Sequence, residues 1–221
     1  MQFYKRIGDS LNFLYKNPLV FALYLPIALL GLIQPAYDST LIAVRTVLVM
    51  LILLLLSTFV FAFSIMGAYY YENKRTFNFN SLSKLALQKF TSLLIVEAIL
   101  IIAVSVFSAT MDSFSAVFTS DIGQAFTIVF FLAFFCLLIK FSLSVPSTVL
   151  KGKIGFKESW KLVGWKEFLD LALFVIVYSL VSYGLSLLPL ASGVTTFLGS
   201  MILSPIVIVT LTMLYLDYLK R

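Results

Sequence analysis

Six apolar runs separated by short polar stretches set the pattern of this chain. They cover Pro18 to about Ile33, Thr46 to Tyr71, Phe90 to Ala109, Ile122 to Val149, Phe168 to Leu188 (closed by Pro189) and Thr195 to Leu216. All but the first hold at least 20 residues, enough to cross about 30 Å of hydrocarbon as a helix. Strands of a membrane barrel alternate apolar and polar positions, and runs such as Leu48 to Leu56 do not. The pattern predicts an all-α, polytopic membrane protein of six transmembrane helices.

A similar short stretch precedes each pair of runs: Ser10-Leu11-Asn12-Phe13-Leu14, Ser81-Leu82-Ser83-Lys84-Leu85 and Ser159-Trp160-Lys161-Leu162-Val163. The first is amphipathic at helical spacing, with Phe3, Ile7, Leu11 and Leu14 opposite Arg6, Asp9 and Lys16. In the third, Phe156, Trp160 and Val163 form the apolar stripe beside Lys157 and Lys161. The expectation is a single membrane domain over 1–221, built as three helical hairpins, each preceded by a short interfacial segment. Its parts are a leader at 1–17, hairpin one at 18–71, leader plus hairpin two at 72–149, and leader plus hairpin three at 150–221.

Composition removes the other classes. The 221 residues are 61% hydrophobic and 12% charged, with mean hydropathy +1.05, where soluble domains carry about a quarter charged residues. That excludes a soluble enzyme, a nucleic-acid-binding domain and a disordered tail. There is no histidine, hence no imidazole base and no Ser-His triad. The lone Cys136 forms no intrachain disulfide, and no metal site or cofactor is expected.

Charge position orients the spans. With the N-terminus inside, every Lys and Arg except Arg45 and Lys140 falls in a cytoplasmic segment or tail. The outer loops hold Asp38, Asp112 and Asp121, and Arg45 belongs at the outer interface. Both ends are therefore expected on the cytoplasmic side of the cell membrane. The 17 mostly polar or amphipathic residues before the first run argue against a cleaved signal peptide.

Glu97 and Lys140 are the ionisable residues expected inside the spans, both in the cytoplasmic half and on adjacent helices. A charge at that depth costs about 2.5–3.5 kcal/mol on insertion scales, so each should face protein or water. Cys136, Lys140 and Ser144 recur at i, i+4 and i+8, and Glu97 with Lys140 is the pair this spacing suggests. Three readings are open: a structural ion pair, Lys140 snorkelling to the inner interface, or a proton or ion relay. A Ser144–Lys140 dyad lacks any further sign of an activated nucleophile.

The basic loop Lys151, Lys153, Lys157, Lys161 and Lys166, with Trp160, lacks the spacing of a phosphate-binding loop. It fits ordinary topogenic charge or contact with anionic headgroups, each lysine contributing about 1 kcal/mol. Pro26, Pro146 and Pro205 interrupt spans. Gly184 with Ser182 and Ser186, and Gly199 with Ser200 and Ser204, suggest that the fifth and sixth spans pack closely on small residues.

Two stretches carry a family resemblance. Ser144-Val145-Pro146-Ser147-Thr148-Val149-Leu150 leads through a glycine-containing turn to Glu158-Ser159-Trp160-Lys161-Leu162-Val163, and Pro205 precedes Leu214-Tyr215-Leu216-Asp217-Tyr218 before a basic end. These resemble the YciC-like membrane proteins and the membrane domain attached to some glycerophosphodiester phosphodiesterases. The resemblance implies a six-helix membrane domain without assigned catalytic residues. It does not imply the phosphodiesterase, whose separate soluble barrel uses histidine and acidic metal ligands that this chain lacks.

The functional expectation is a non-enzymatic membrane protein: a scaffold, accessory subunit or lipid-interacting module. The alternative is a small transporter or channel using Glu97 and Lys140. Expected partners are the bilayer with its anionic cytoplasmic headgroups, and a protein partner or second copy of the chain; no nucleic acid is expected.

Overall fold

A computed structural model describes residues 2–32, 40–117, 121–187 and 192–221. Among these the chain is all helical: α1 (Gln2–Lys16), α2 (Pro18–Ala22), α3 (Leu25–Gly31), α4 (Thr40–Glu72), α5 (Phe79–Val117), α6 (Asp121–Phe141), α7 (Ser144–Lys151), α8 (Phe156–Leu162), α9 (Trp165–Ser186), α10 (Ser192–Leu198), a π-helical turn (Gly199–Leu203) and α11 (Ser204–Leu219). Five helical stretches are long and apolar enough to cross a membrane. A sixth is obtained if Gln2–Lys16 and Pro18–Leu30, bent by 91°, count as one span. The fold is thus all helical, with five or six helical segments long and apolar enough for a multi-pass membrane protein.

Three prolines locate the breaks. Pro26 follows a break at Leu23 and Tyr24, Pro146 follows one at Ser142 and Leu143, and Pro205 follows the π turn. A proline lacks the N–H that would bond four residues back, and its ring crowds that turn. The disturbance therefore falls N-terminal to each proline. The first apolar run becomes two short helices, and the fourth becomes α6 plus α7.

The three leaders do not share one structure. The first is the separate helix α1 and the third is the short α8, whereas Ser81 to Leu85 lie inside α5, which runs unbroken from Phe79. Nothing between Ser81 and Phe90 breaks a helix: there is no Pro or Gly, and Leu82 and Ala86 are buried one turn apart. The face of α1 also differs from the expected stripe. Phe3, Arg6, Ser10, Phe13 and Leu14 turn inward, while Tyr4, Leu11 and Tyr15 are exposed.

Helix α11 is the hub. It packs against α1, α4 and α7, burying Val209, Met213, Leu214 and Tyr215. One buried cluster joins Phe13 of α1 and Phe63 of α4 to Met213, and another joins Phe3 and Ile139 to Leu171 and Tyr215. Farther from this hub, α5 and α6 instead expose apolar side chains, among them Ile102, Val106, Phe126 and Val129. Helices hydrophobic all round are solvated by hydrocarbon rather than by water. Asp38 and Pro189 lie outside the described residues, as do the side chains of Arg45, Asp112 and Asp121.

Candidate functional site: a buried charge lock, a membrane carboxyl and a lysine-floored groove

Arg6 stands on the inward face of α1, 9% exposed, where the ends of α4 and α11 meet it. Its Nε donates to Asp217 Oδ2 at 2.6 Å, and Nη2 donates to Asp217 Oδ1. Nη1 and Nη2 donate to the two oxygens of Glu72 at 3.2 and 3.0 Å, and Nη1 also reaches Asp9 Oδ2 at 3.0 Å. A guanidinium has five N–H donors, and every one has a carboxylate acceptor here. Lys220 adds a second cation 3.6 Å from Glu72. Hydrogen bonding to Asp217, then to Glu72, raises the Arg6 pKa against the opposing effect of burial, so it stays charged. One residue thereby ties three helices at one end of the bundle. Below it, Ser10 Oγ lies 2.9 Å from Thr210 Oγ1 and continues the α1–α11 contact.

Glu97 and Lys140 do not pair. Glu97, 6% exposed, accepts a hydrogen bond from Thr58 Oγ1 of α4 at 2.7 Å on Oε2, while its Oε1 is buried without a partner. Close by in the α3–α4 packing, the buried Tyr24 hydroxyl lies 3.1 Å from Ser64 Oγ. Lys140 faces another way. Its Nζ donates to the Val163 carbonyl between α8 and α9 and sits 5.3 Å from the Trp160 ring centroid. The Lys140 carbonyl in turn accepts from Ser159 Oγ at 2.6 Å. Helix ends leave backbone carbonyls without intrahelical partners, and this reciprocal pair satisfies one on α6 and one at the α8–α9 corner.

The expected Cys136–Lys140–Ser144 stripe is broken by the turn ahead of Pro146. Cys136 is exposed and Lys140 half-buried, whereas Ser144 is fully buried in α7. Its Oγ has no partner, so Lys140 does not activate it. Around Ser144 the packing is tight. Thr148 Oγ1 donates to the Ser144 carbonyl at 2.6 Å and accepts from Gly155 N at 2.9 Å.

Cys136 and Lys140 line instead a groove of about 530 Å³ between α6, α8 and α9. Ala133 and Leu137 extend its wall along α6, and Trp160, Trp165 and Phe168 close the other side. Lys151, Lys153, Lys157, Lys161 and Lys166 are all exposed, and Lys151 is paired with Glu158.

The small residues of the fifth and sixth spans border a shared groove. Ser182, Ser186, Gly199, Ser200 and Ser204 line a hydroxyl-rich groove of about 310 Å³ with Tyr178. A Cβ added at Gly184 or Gly199 would meet nothing within 4 Å. The spans nevertheless meet, α9 touching both α10 and the π turn, so the groove lies between packed segments.

Reasoning from sequence missed the Arg6 lock. The available signal was that Arg6 lies three residues after Phe3 and seven before Phe13, which places it on the same helical face as the aromatics. No protein-family model, curated protein or solved structure matches the chain. Among the described residues no cluster of three or more Cys, Asp or Glu side chains could hold a metal ion.

Proposed function

We propose that the protein is a multi-pass scaffold or accessory subunit of the plasma membrane, without catalytic chemistry of its own. In this reading six crossing segments form three hairpins with both ends cytoplasmic, and the exposed lysines of 153–166 rest against anionic headgroups. The kinship with the YciC-like group belongs to the same proposal. One observation carries it: the charged groups serve as ties between helices. Arg6 joins α1, α4 and α11, and Lys140 joins α6 to the α8–α9 corner. Charges that line a route for solute would face a shared aqueous space, whereas these face carbonyls, carboxylates and a ring.

A second reading, a small transporter, rests on the unpartnered Oε1 of Glu97. The two are separated by water access at that position. In a Cys136→Ala background, Glu97→Cys treated with a membrane-impermeant thiosulfonate reagent should stay unmodified from either side of the bilayer. Rapid modification from one side would show an aqueous route to α5 and favour transport.

A further inference from the structure

The groove between α6, α8 and α9 has the makings of a binding site for one lipid. Its walls are apolar, from Ala133 and Leu137 on one side to Phe168 on the other. At one end stand Lys140 and two tryptophans, Trp160 half exposed and Trp165 75% exposed. Tryptophans settle where hydrocarbon meets headgroups, because the ring is apolar and the indole N–H needs a polar partner. The groove therefore runs from the headgroup layer toward the hydrocarbon.

The charge at that end is positive. The Lys140 ammonium has three N–H donors. One goes to the Val163 carbonyl, leaving two for a ligand oxygen. Lys161 and Lys166, each next in sequence to one of the groove tryptophans, are exposed. The neighbouring carboxylates each have a cation of their own: Glu158 pairs with Lys151, and Glu167, whose other oxygen lies beside Gly164 of the groove, pairs with Arg221. An anionic oxygen in the groove would thus meet the Lys140 ammonium, whose partners among the described residues are a carbonyl and a ring rather than a carboxylate.

We propose that this groove holds one phospholipid with an anionic headgroup, its phosphate at Lys140 and an acyl chain along Ala133, Leu137 and Phe168. Cys136, exposed on the same wall, flanks the chain. The inference rests on the scaffold reading only in placing the lysine-bearing end at the headgroup layer. Its outcome is independent of water access at position 97.

The chain has only two tryptophans, and both line the groove, so intrinsic fluorescence reports on it directly. The full-length protein is reconstituted into bilayers containing increasing fractions of acyl-brominated phosphatidylglycerol or acyl-brominated phosphatidylcholine. Half-maximal quenching is expected at a fraction about five-fold lower for the anionic lipid, the preference one basic side chain at a membrane surface confers. Lys140→Met should bring the ratio to about one, while Lys153→Ala/Lys157→Ala should leave it unchanged. Ala133→Phe, which fills the groove and keeps Lys140, guards against a misfolded lysine variant and should weaken quenching by both lipids. Equal quenching in the unmodified protein would overturn the proposal. So would an anionic preference that survives Lys140→Met and disappears with the loop lysines, since that is diffuse surface charge.

Discussion

Replacing Arg6 by methionine keeps the length of the side chain and deletes its charge. Asp9, Glu72 and Asp217 are then left around an apolar side chain, with Lys220 the one other cation in ion-pair contact with them among the described residues. Removing one partner of a buried ion pair destabilises by about 3–5 kcal/mol. Glu72 and Asp217 retain 18% and 14% exposure, which lets water reach them and favours the lower bound, about 3 kcal/mol. For a chain of this length that corresponds to a fall in Tm of about 6–12 °C. The assay is thermal unfolding in nanodiscs, followed by tryptophan fluorescence. Arg6→Lys should recover less than half of the loss, because an ammonium cannot make the two forked contacts. The informative variant is Arg6→Met/Glu72→Gln/Asp217→Asn. With the stranded charges removed, it should be more stable than Arg6→Met alone despite carrying more substitutions. A triple variant less stable than the single one, or an Arg6→Met Tm within about 2 °C of the parent protein, would refute the view that this cluster locks the helices together.

Further outcomes follow from individual contacts. Gly155→Ala should prevent accumulation of folded protein, measured as the monodisperse fraction after detergent extraction. A Cβ there would lie 2.5 Å from the Ser144 carbonyl oxygen and 2.9 Å from Thr148 N, both backbone atoms that cannot step aside. Ser159→Ala, which frees the Lys140 carbonyl, should cost about 1 kcal/mol in the same unfolding assay. Thr58→Val removes the α4–α5 bond to Glu97 and should cost only about 0.6 kcal/mol, the mean for such bonds in membranes. Glu97→Gln should fold as well as the parent protein, since its amide keeps an oxygen for Thr58 and takes a carboxylate out of apolar surroundings.

Some of this architecture was readable from the chain and some was not, for physical reasons. The last five apolar runs locate the long helices, because length and hydropathy are all that a span requires. Pro26, Pro146 and Pro205 announce breaks, although each break falls in the turn before the ring. The azimuth of α5 and α6 was not legible. Helices apolar on every side carry no stripe to say which face meets protein, so the pairing of Glu97 with Lys140 rests on depth, adjacent spans and the spacing around Lys140. Only tertiary placement turns Glu97 to Thr58 and Lys140 to Val163. For α1 the stripe was visible but misread. The inward face accepts Arg6 because Glu72 and Asp217, distant in sequence, arrive at the same place through the ends of α4 and α11.

Whether the membrane carboxyl is a tie between helices or a station on a route is tested most directly by flux. Purified protein in sealed proteoliposomes carrying a pH-sensitive dye is given an imposed proton gradient with a counter-ion shunt. The scaffold account predicts dissipation at the rate of protein-free vesicles, unchanged by Glu97→Gln. A faster rate that Glu97→Gln abolishes would contradict it and make Glu97 part of a transport pathway.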